Sequence, residues 1–260
     1  MLRTALALTS LVISSAILTG CGGAAAPSKT QNVFGSDNRQ PITSTESPWS
    51  AICKLSNGCS ATLIDRRLIL TAAHCVFNAD GSWTNENMTF SPNMIGGSAR
   101  DTVGTEHVWY GTRNPYSTDA SVGLDWAIYL LDTDLGSTYG WVGVKDYNPS
   151  YGDIISLAGY SADYDYGNTA TVHLDCNVQG RDPSGNFYHD CDMTRGASGG
   201  PVFASFGGSS ERVIVGVQSG EKRQGGDTSL SVTYYEEKYA NNAVPASSFF
   251  QKALELVNAY

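Results

Sequence analysis

The sequence has little positive charge, no internal repeat and only one long apolar run. Lysine and arginine number 16 against 25 aspartates and glutamates, so the formal net charge of the 260 residues is −9. This acidic balance, with no basic cluster along the chain, argues against nucleic acid as a partner. The 28 glycines and 14 tyrosines indicate many short strands and turns rather than long helices.

The one long apolar run lies at the amino terminus. Arg3 supplies a positive charge before the stretch Leu6 to Leu18, which is typical of a secretory signal and too short to span a bilayer. The run ends in Leu18-Thr19-Gly20-Cys21, which resembles the bacterial lipobox. We therefore expect removal of residues 1–20 and a lipid on Cys21, followed by a tether or propeptide over 21–32. The alternative is an ordinary signal peptide with an incidental cysteine.

These features predict an exported bacterial protein. The lipid on Cys21 would hold it at the outer membrane or cell surface and would be its only contact with a membrane. Six cysteines are consistent with an oxidising compartment outside the cytoplasm.

Short apolar or alternating segments bounded by turn residues predict strands over most of the chain. They are Trp49–Leu55, Ala61–Ile64, Leu68–Thr71, Thr102–Tyr110, Ala127–Leu131, Ile154–Tyr160, Thr169–Gln179, Gly200–Ala204 and Val213–Gln218. Residues 78–98 predict a long surface loop. From Ser248 onward, apolar residues at helical spacing predict one amphipathic helix, with Ser247 or Ser248 as its N-cap.

A serine between glycines is the first candidate for chemistry. Residues 192–201 read Asp-Met-Thr-Arg-Gly-Ala-Ser-Gly-Gly-Pro, which puts Ser198 in a glycine turn just after Cys191. Glycines let the backbone approach a ligand closely. A serine held there presents its hydroxyl with neighbouring backbone N–H groups aimed at the same point. Taken alone, the pattern also fits a flexible turn.

Two other stretches carry the groups that activate a serine. His74 follows a predicted strand and stands beside Cys75, while Asp125 enters an apolar run where an unpaired carboxylate is costly. Histidine titrates near neutral pH and takes the serine proton, and a buried carboxylate orients the ring. The other histidines, which have no comparable setting, are His107, His173 and His189.

At these positions the sequence resembles the trypsin/chymotrypsin-like serine peptidases. The family's three motifs match residues 71–75 (TAAHC), 125–127 (DWA) and 196–201 (GASGGP), in the order His, Asp, Ser. The bacterial glutamyl-endopeptidase-like (V8-like) branch is more similar, on residues 33–39 (VFGSDNR) and 189–192 (HDCD). The resemblance covers about residues 33–260.

The resemblance implies an all-β domain of two antiparallel six-stranded β-barrels with a C-terminal helix. It also implies a serine endopeptidase acting on proteins or peptides through an acyl-enzyme. In that reaction Ser198 is the nucleophile, His74 the base and then the acid, and Asp125 the residue that orients His74. The N–H groups of Gly196 and Ser198 would form the oxyanion hole. No cofactor or metal is implied, and we expect a monomer.

The resemblance also suggests how the cysteines pair. Cys59 and Cys75 have the spacing of a family disulfide, and Cys176 and Cys191 suggest a second bridge near the serine. Cys53 is then left over, as a buried free thiol, an alternative partner of Cys59 or an intermolecular link.

Three positions bear on specificity. Asp192 lies where trypsin-type enzymes have a pocket carboxylate for Arg or Lys, or it is a structural hydrogen-bonding group in a differently shaped loop. Gln218 stands where glutamate-specific members have histidine, and Ser219 matches the residue that supports the triad aspartate and lines the substrate strand. These residues, with Glu221 nearby, favour a weakly basic or broad preference at P1, the substrate residue before the cleaved bond.

One departure from the family concerns activation. Animal enzymes carry an aspartate directly before the serine, which pairs with an amino terminus released by cleavage. Ala197 stands at that position, so this switch is missing. Cleavage between Asn32 and Val33 is the event that would match a bacterial propeptide, and it would release the enzyme from its lipid.

Two other functions compete with this interpretation. A catalytically silent, protease-like binding lipoprotein would keep the fold without the reaction, and the intact triad argues against it. An α/β esterase requires a histidine after the serine. No histidine follows Ser198, which excludes that fold.

Overall fold

The computed structural model describes residues 32–116, 123–222 and 234–260. The predicted signal, the lipidation site Cys21 and most of the tether lie outside the described residues. Within them, none of the helices is both long and apolar enough to cross a membrane.

Thirteen strands form two antiparallel sheets in the described residues. In chain order they are β1 Gln40–Pro41, β2 Ile52–Leu55, β3 Ser60–Leu63, β4 Leu68–Thr71, β5 Phe90–Pro92, β6 Thr105–Tyr110, β7 Ala127–Leu131, β8 Ile154–Gly159, β9 Thr171–Arg181, β10 Phe187–His189, β11 Pro201–Ala204, β12 Val213–Glu221 and β13 Asn241–Pro245. The first sheet has the order β5-β2-β3-β4-β7-β6 and the second β1-β9-β10-β13-β12-β11-β8.

The second sheet closes on itself, because β8 also pairs with β9. Six strands thus form a barrel, and β1 is added outside it on β9. In the first sheet, β5 and β6 are not paired, and a single bridge between Phe90 and Val103 spans the gap among the described residues. The predicted all-β fold is confirmed, with one closed barrel and one open half-barrel.

Continuous burial explains why the central strands form where they do. Every residue of β4 and β7 is buried, which suits the unbroken apolar runs of their sequences. One hydrophobic core fills the first sheet and reaches the helix at the carboxyl end, and a second lies inside the barrel around Phe187 and Val202.

Two α-helices are described, α1 Gly136–Tyr139 and α2 Phe250–Ala259. Helix α2 is the predicted C-terminal helix, and it buries Ala253 and Leu256. The predicted serine N-cap is wrong. Residues Ala246–Ser248 form a 3₁₀ turn, and Phe249 occupies the N-cap position without a side-chain hydrogen bond.

The sequence pattern does not predict four of the strands, namely β1, β5, β10 and β13. Each is five residues or shorter, and β13 contains two asparagines and a proline, which are rare in strands. Strand β5 lies inside the predicted loop over 78–98. The start of the predicted strand Trp49–Leu55 is instead a 3₁₀ turn over Trp49–Ala51.

Candidate active site

Strand pairing brings His74 and Asp125 together. Strands β4 and β7 are neighbours, with Thr71 opposite Ala127. The chain continues from β4 into a 3₁₀ turn over Ala73–Cys75, and Asp125 stands two residues before β7. Both side chains therefore lie at the same end of the first sheet.

The Asp125 carboxylate accepts three hydrogen bonds. Its Oδ2 lies 2.8 Å from Nδ1 of His74, and its Oδ1 accepts the backbone N–H of His74 at 2.8 Å. Ser219, on β12, donates its hydroxyl to Oδ2 at 2.6 Å. The residue is only 3% exposed, so these three donors compensate the cost of burying its charge.

This carboxylate changes the acidity of the imidazole. Burial alone lowers the pKa of His74, but the charge of Asp125 and its hydrogen bond to Nδ1 outweigh burial. The pKa of His74 therefore lies above its usual value of 6.5. Because Nδ1 faces the carboxylate, Nε2 is the nitrogen that can exchange a proton with another group.

The turn of Ser198 requires its two flanking glycines. Gly196 and Gly199 have φ angles of 99° and 81°, in the left-handed region. A Cβ on Gly196 would lie 2.4 Å from the Tyr160 carbonyl oxygen, and a Cβ on Gly199 would lie 2.1 Å from Oγ1 of Thr71. Only glycine fits at either position.

Two N–H groups of this turn are left without a partner among the described residues, those of Gly196 and Ser198. The N–H groups of Ala197, Gly199 and Gly200 are bonded to backbone carbonyls at 2.8–3.1 Å. Both residues are only half-buried. Two free donors on alternate residues beside a serine hydroxyl are the arrangement that an oxyanion requires.

Ser198 and His74 line one cleft of about 340 Å³. Its other lining residues are Pro115, Tyr116, Asp125, Arg195, Ser219, Gly220 and Glu221. In the described part of the chain, the Ser198 hydroxyl makes no hydrogen bond with Nε2 of His74. Such contacts are often long in ligand-free enzymes.

The family follows from comparison of the whole chain. The trypsin family model matches residues 36–242, which include all three candidate catalytic residues. The chain belongs to the trypsin family. The predicted resemblance is confirmed at this level.

Relatives of this trypsin-family chain are distant. It is 27% identical over 150 residues to the glutamyl endopeptidase of Bacillus licheniformis, covering 54% of this chain and 45% of the relative. It is 25% identical over 195 residues to a Bacillus subtilis protein named extracellular metalloprotease, covering 70% and 61%. It is 26% identical over 223 residues to serine protease 23 of Bos taurus, covering 75% and 58%. The chain thus spans about half to three fifths of the length of these relatives.

Solved structures agree on the fold. A Glu endopeptidase superposes with a TM-score of 0.69 at 21% identity, over 88% of this chain and all of that one. The thermostable serine protease AL20 superposes with a TM-score of 0.63 at 20% identity, over 82% and 99%. A glutamyl endopeptidase is found among the sequence relatives and among the solved structures, which agrees with the predicted similarity to the V8-like branch.

Asp192 does not reach the cleft of this trypsin-family fold. It is fully buried, and its carboxylate accepts the N–H groups of Phe34 and Asn38, both at 2.8 Å. The carboxylate is thus bonded to the amino-terminal segment, which favours the interpretation of Asp192 as a structural hydrogen-bonding group over that of a pocket floor. Its part in specificity stays a prediction.

Gln218 also lies away from the cleft, whereas Ser219 lines it. The Gln218 side chain is 2% exposed; its Oε1 lies 2.8 Å from Nε2 of His189, and its Nε2 donates to the Gly220 carbonyl at 3.0 Å. Burial lowers the pKa of His189 to about 4, so this ring is neutral at ordinary pH. The Gln218 side chain is thus held in the interior, and a contact of this residue with substrate stays a prediction.

The cysteines pair as the resemblance implied. Cys59 is bonded to Cys75, and Cys176 to Cys191. Cys53 is a buried free thiol. The sulfurs of Cys59 and Cys75 lie close to a ring nitrogen of His74, but they are bonded to each other and are not free to bind a metal as thiolates.

Sequence reasoning missed Ser60. Its N–H donates to the Ser198 carbonyl at 2.8 Å, and its hydroxyl donates to the Gly196 carbonyl at 2.8 Å. The hydroxyl also accepts the N–H of Tyr160 at 2.8 Å. Ser60 thus ties the half-barrel to the serine turn and to the barrel. A polar residue at the start of a buried strand, next to Cys59, is the signal that could have identified it.

Proposed function

We propose that the protein is an exported serine endopeptidase with His74, Asp125 and Ser198 as its catalytic triad. The observation that carries the proposal is the hydrogen-bond chain from Ser219 through Asp125 to His74, which ends in the cleft that Ser198 lines. Membership of the trypsin family supports the same reaction.

In the proposed reaction, the Ser198 hydroxyl oxygen attacks the carbonyl carbon of the peptide while Nε2 of His74 takes its proton. The oxygen that becomes negative accepts hydrogen bonds from the N–H groups of Gly196 and Ser198. His74 then gives the proton to the amine nitrogen, and the C–N bond breaks to leave an acyl-enzyme. Water attacks this ester through the same base and restores the serine.

The edge of strand β12 supports an extended peptide as the substrate. The ladder between β11 and β12 ends with Pro201 opposite Val217. Beyond it, Ser219, Gly220 and Glu221 of β12 line the cleft. We propose that the substrate pairs with this edge as an added strand.

We propose a broad preference at P1. Asp192, the carboxylate that would favour a basic residue, is bonded to the amino-terminal segment instead. Among the residues that the structure describes, one cationic and one anionic side chain line the cleft beside the triad, Arg195 and Glu221. Peptides that differ only at P1 should have kcat/KM values within about tenfold of one another. A preference of about 100-fold for Arg or Lys would contradict this.

For location, two disulfides are consistent with export, and we propose that a lipid on Cys21 anchors a monomer. The alternative is release by cleavage between Asn32 and Val33. Mass spectrometry of the mature protein reports its amino terminus and lipid together. An unmodified Cys21 in the membrane fraction would rule out the anchor.

A fluorophosphonate probe, which modifies only an activated serine, tests the proposed reaction. The wild type should be labelled on Ser198, and Ser198→Ala should not be labelled. His74→Ala keeps the serine but should react at a rate lower by about a thousandfold or more. A wild type that resists the probe would instead favour the silent binding protein.

A further inference from the structure

The chain that leads into the serine turn is bonded to the amino-terminal segment at consecutive residues. The Asn32 carbonyl accepts the N–H of Met193 at 3.1 Å and the Asn241 side-chain amide at 3.1 Å. The same amide donates to the Cys191 carbonyl at 2.7 Å. Residues 191 and 193 are thus both connected to Asn32, which is fully buried.

Asp192 lies between them and holds a second part of the segment. Its Oδ1 accepts the N–H of Phe34 at 2.8 Å, and its Oδ2 accepts the N–H of Asn38 at 2.8 Å and the Asn38 amide at 3.2 Å. Three donors on one buried carboxylate form a charge-assisted contact. Phe34 packs against Tyr235, with ring centroids 5.4 Å apart.

Thr194 completes the series through an ion pair. Its hydroxyl donates to the Asp163 carboxylate. That carboxylate is also held by Arg39, with both guanidinium contacts at 2.8 Å. The Arg39 side chain is only 3% exposed and also binds Asp37. Residues 192 and 193 thus bond the segment Asn32–Arg39 directly, and Cys191 and Thr194 are linked to it through Asn241 and Asp163. We name this segment the N-terminal clamp.

We propose that the N-terminal clamp positions the oxyanion hole of this enzyme, with Asp192 as its main positioning residue. Residues 191–194 run directly into Gly196 and Ser198, whose N–H groups are the proposed donors. In the animal enzymes an aspartate directly before the serine takes part in fixing this loop, but this chain has Ala197 at that position. The clamp would fix the loop in its place. The inference rests on the proposed peptidase function and deepens it.

The clamp includes Asn32, which lies on the amino-terminal side of the Asn32–Val33 bond. The Asn32 carbonyl that binds Met193 and Asn241 belongs to the bond between Asn32 and Val33, and the Asn32 amide also donates to the Tyr239 carbonyl at 2.6 Å. Cleavage there would separate Asn32 from Val33 and remove its contacts from the clamp. We therefore expect the enzyme to be active while still joined to its tether.

A matched pair of substitutions tests the positioning role. Asp192→Asn replaces one acceptor oxygen by an amide that cannot accept from the clamp. Asp190→Asn alters a carboxylate two residues away that also accepts two N–H groups, from Asn177 at 2.6 Å and Gln179 at 2.7 Å, but none from the clamp. Asp192→Asn should lower kcat about 100-fold with little change in KM, the size of losing one oxyanion donor. Asp190→Asn should stay within about threefold.

Each kcat is calculated from the concentration of active sites, which is measured as the amount of protein that the probe labels at completion. Unfolded protein, which the probe does not label, is therefore not counted. If Asp192→Asn keeps the wild-type kcat per site, or if Asp190→Asn loses as much, the positioning role is wrong. Should Asp192→Asn fail to fold, Thr194→Val removes only the link to Asp163, and we expect a loss of about tenfold. Wild-type kcat per site in that variant would overturn the proposal.

The intact mass of the labelled protein tests the uncleaved clamp. The probe should be found on chains in which the Asn32–Val33 bond is intact. A probe found only on chains that begin at Val33 would overturn this part. A wild type that is not labelled at all contradicts the peptidase itself, whereas equal labelling rates in wild type and Asp192→Asn contradict only the clamp.

Discussion

The two sides of the cleft are built in different ways. His74 and Asp125 come from the ends of two paired strands of the half-barrel, and their contacts span 51 positions of the chain. Ser198 stands on a loop of the barrel, and contacts from far along the chain hold that loop. Among these, Ser60 donates to Gly196 across 136 positions, and Phe34 donates to Asp192 across 158.

This difference should separate effects on activity from effects on stability. On the side of the cleft that carries His74 and Asp125, which we name the base side, the strand pairing fixes the geometry. A substitution there that keeps the shape of the side chain should therefore change the reaction and not the fold. On the side that carries Ser198, which we name the nucleophile side, the same contacts hold both the loop and the fold. Substitutions there should reduce stability and activity together.

The largest effect is expected from Asp125→Asn. An amide keeps the shape but loses the charge that orients and stabilises the imidazolium of His74, so kcat/KM should fall by about 10⁴. The free energy of unfolding should change by less than about 1 kcal/mol. Steady-state kinetics and urea unfolding measure the two quantities.

Asp132→Asn is the control, since Asp132 follows the other end of β7 and, among the described residues, accepts only the N–H of Gly104 and the Thr133 hydroxyl. It should be as active as the wild type. If Asp125→Asn lowered the free energy of unfolding by as much as it raised the barrier of the reaction, the contacts on the base side would hold the fold as well as the chemistry.

On the nucleophile side, Gly199→Ala should reduce both quantities. A Cβ there would lie 2.3 Å from the Ser60 carbonyl oxygen at a φ of 81°. We expect a loss of about 3 kcal/mol or more in unfolding free energy, with about a hundredfold loss of kcat/KM.

Gly58→Ala provides the comparison, because Gly58 has a φ of 96° but no atom within 4 Å of the position that a Cβ would occupy. That variant should lose only about 1 kcal/mol and keep its activity. Equal effects of the two substitutions would mean that backbone strain, and not the close approach of Ser60, makes glycine necessary at 199.

The smallest effect is expected from Ser219→Ala. Ser219 lies on strand β12 of the barrel and donates to Asp125 at the end of the half-barrel sheet, so it connects the two sides of the cleft. The substitution removes the hydroxyl that donates to Asp125 at 2.6 Å and leaves the other two donors. We expect kcat/KM to fall by about tenfold, at nearly unchanged stability. A loss as large as that of Asp125→Asn would mean that Ser219 has a larger part in the reaction.

Much of the base side could be predicted from the sequence. Strands β4 and β7 are unbroken apolar runs whose predicted bounds are correct, and a histidine and an acid at their ends are conspicuous. The fold class followed from the three sequence motifs, which carry more information about the fold than the periodicity of apolar residues does. The fold class and the base side of the site could be predicted because both depend on residues that lie in or near these motifs.

The contacts of the nucleophile side could not be predicted in the same way. Phe34 and Asp192 meet across 158 positions of the chain, and nothing in the local pattern of either indicates the other. Spacing from Ser198 is the only guide that the sequence offers for Asp192, and it indicates a substrate pocket. Short strands such as β10 and β13 form because neighbours already in the barrel pair with them, which is a tertiary effect.

The pH dependence of Ser198 labelling by the probe tests the triad most directly. In the proposed reaction His74 accepts the serine proton only when neutral, and Asp125 raises the pKa of His74 above its usual value. Labelling of the wild type should therefore decline, as the pH falls, through a midpoint above about 6.5. In Asp125→Asn the midpoint should move to lower pH. A wild-type rate without such a midpoint, or one that Asp125→Asn leaves in place, would contradict the account.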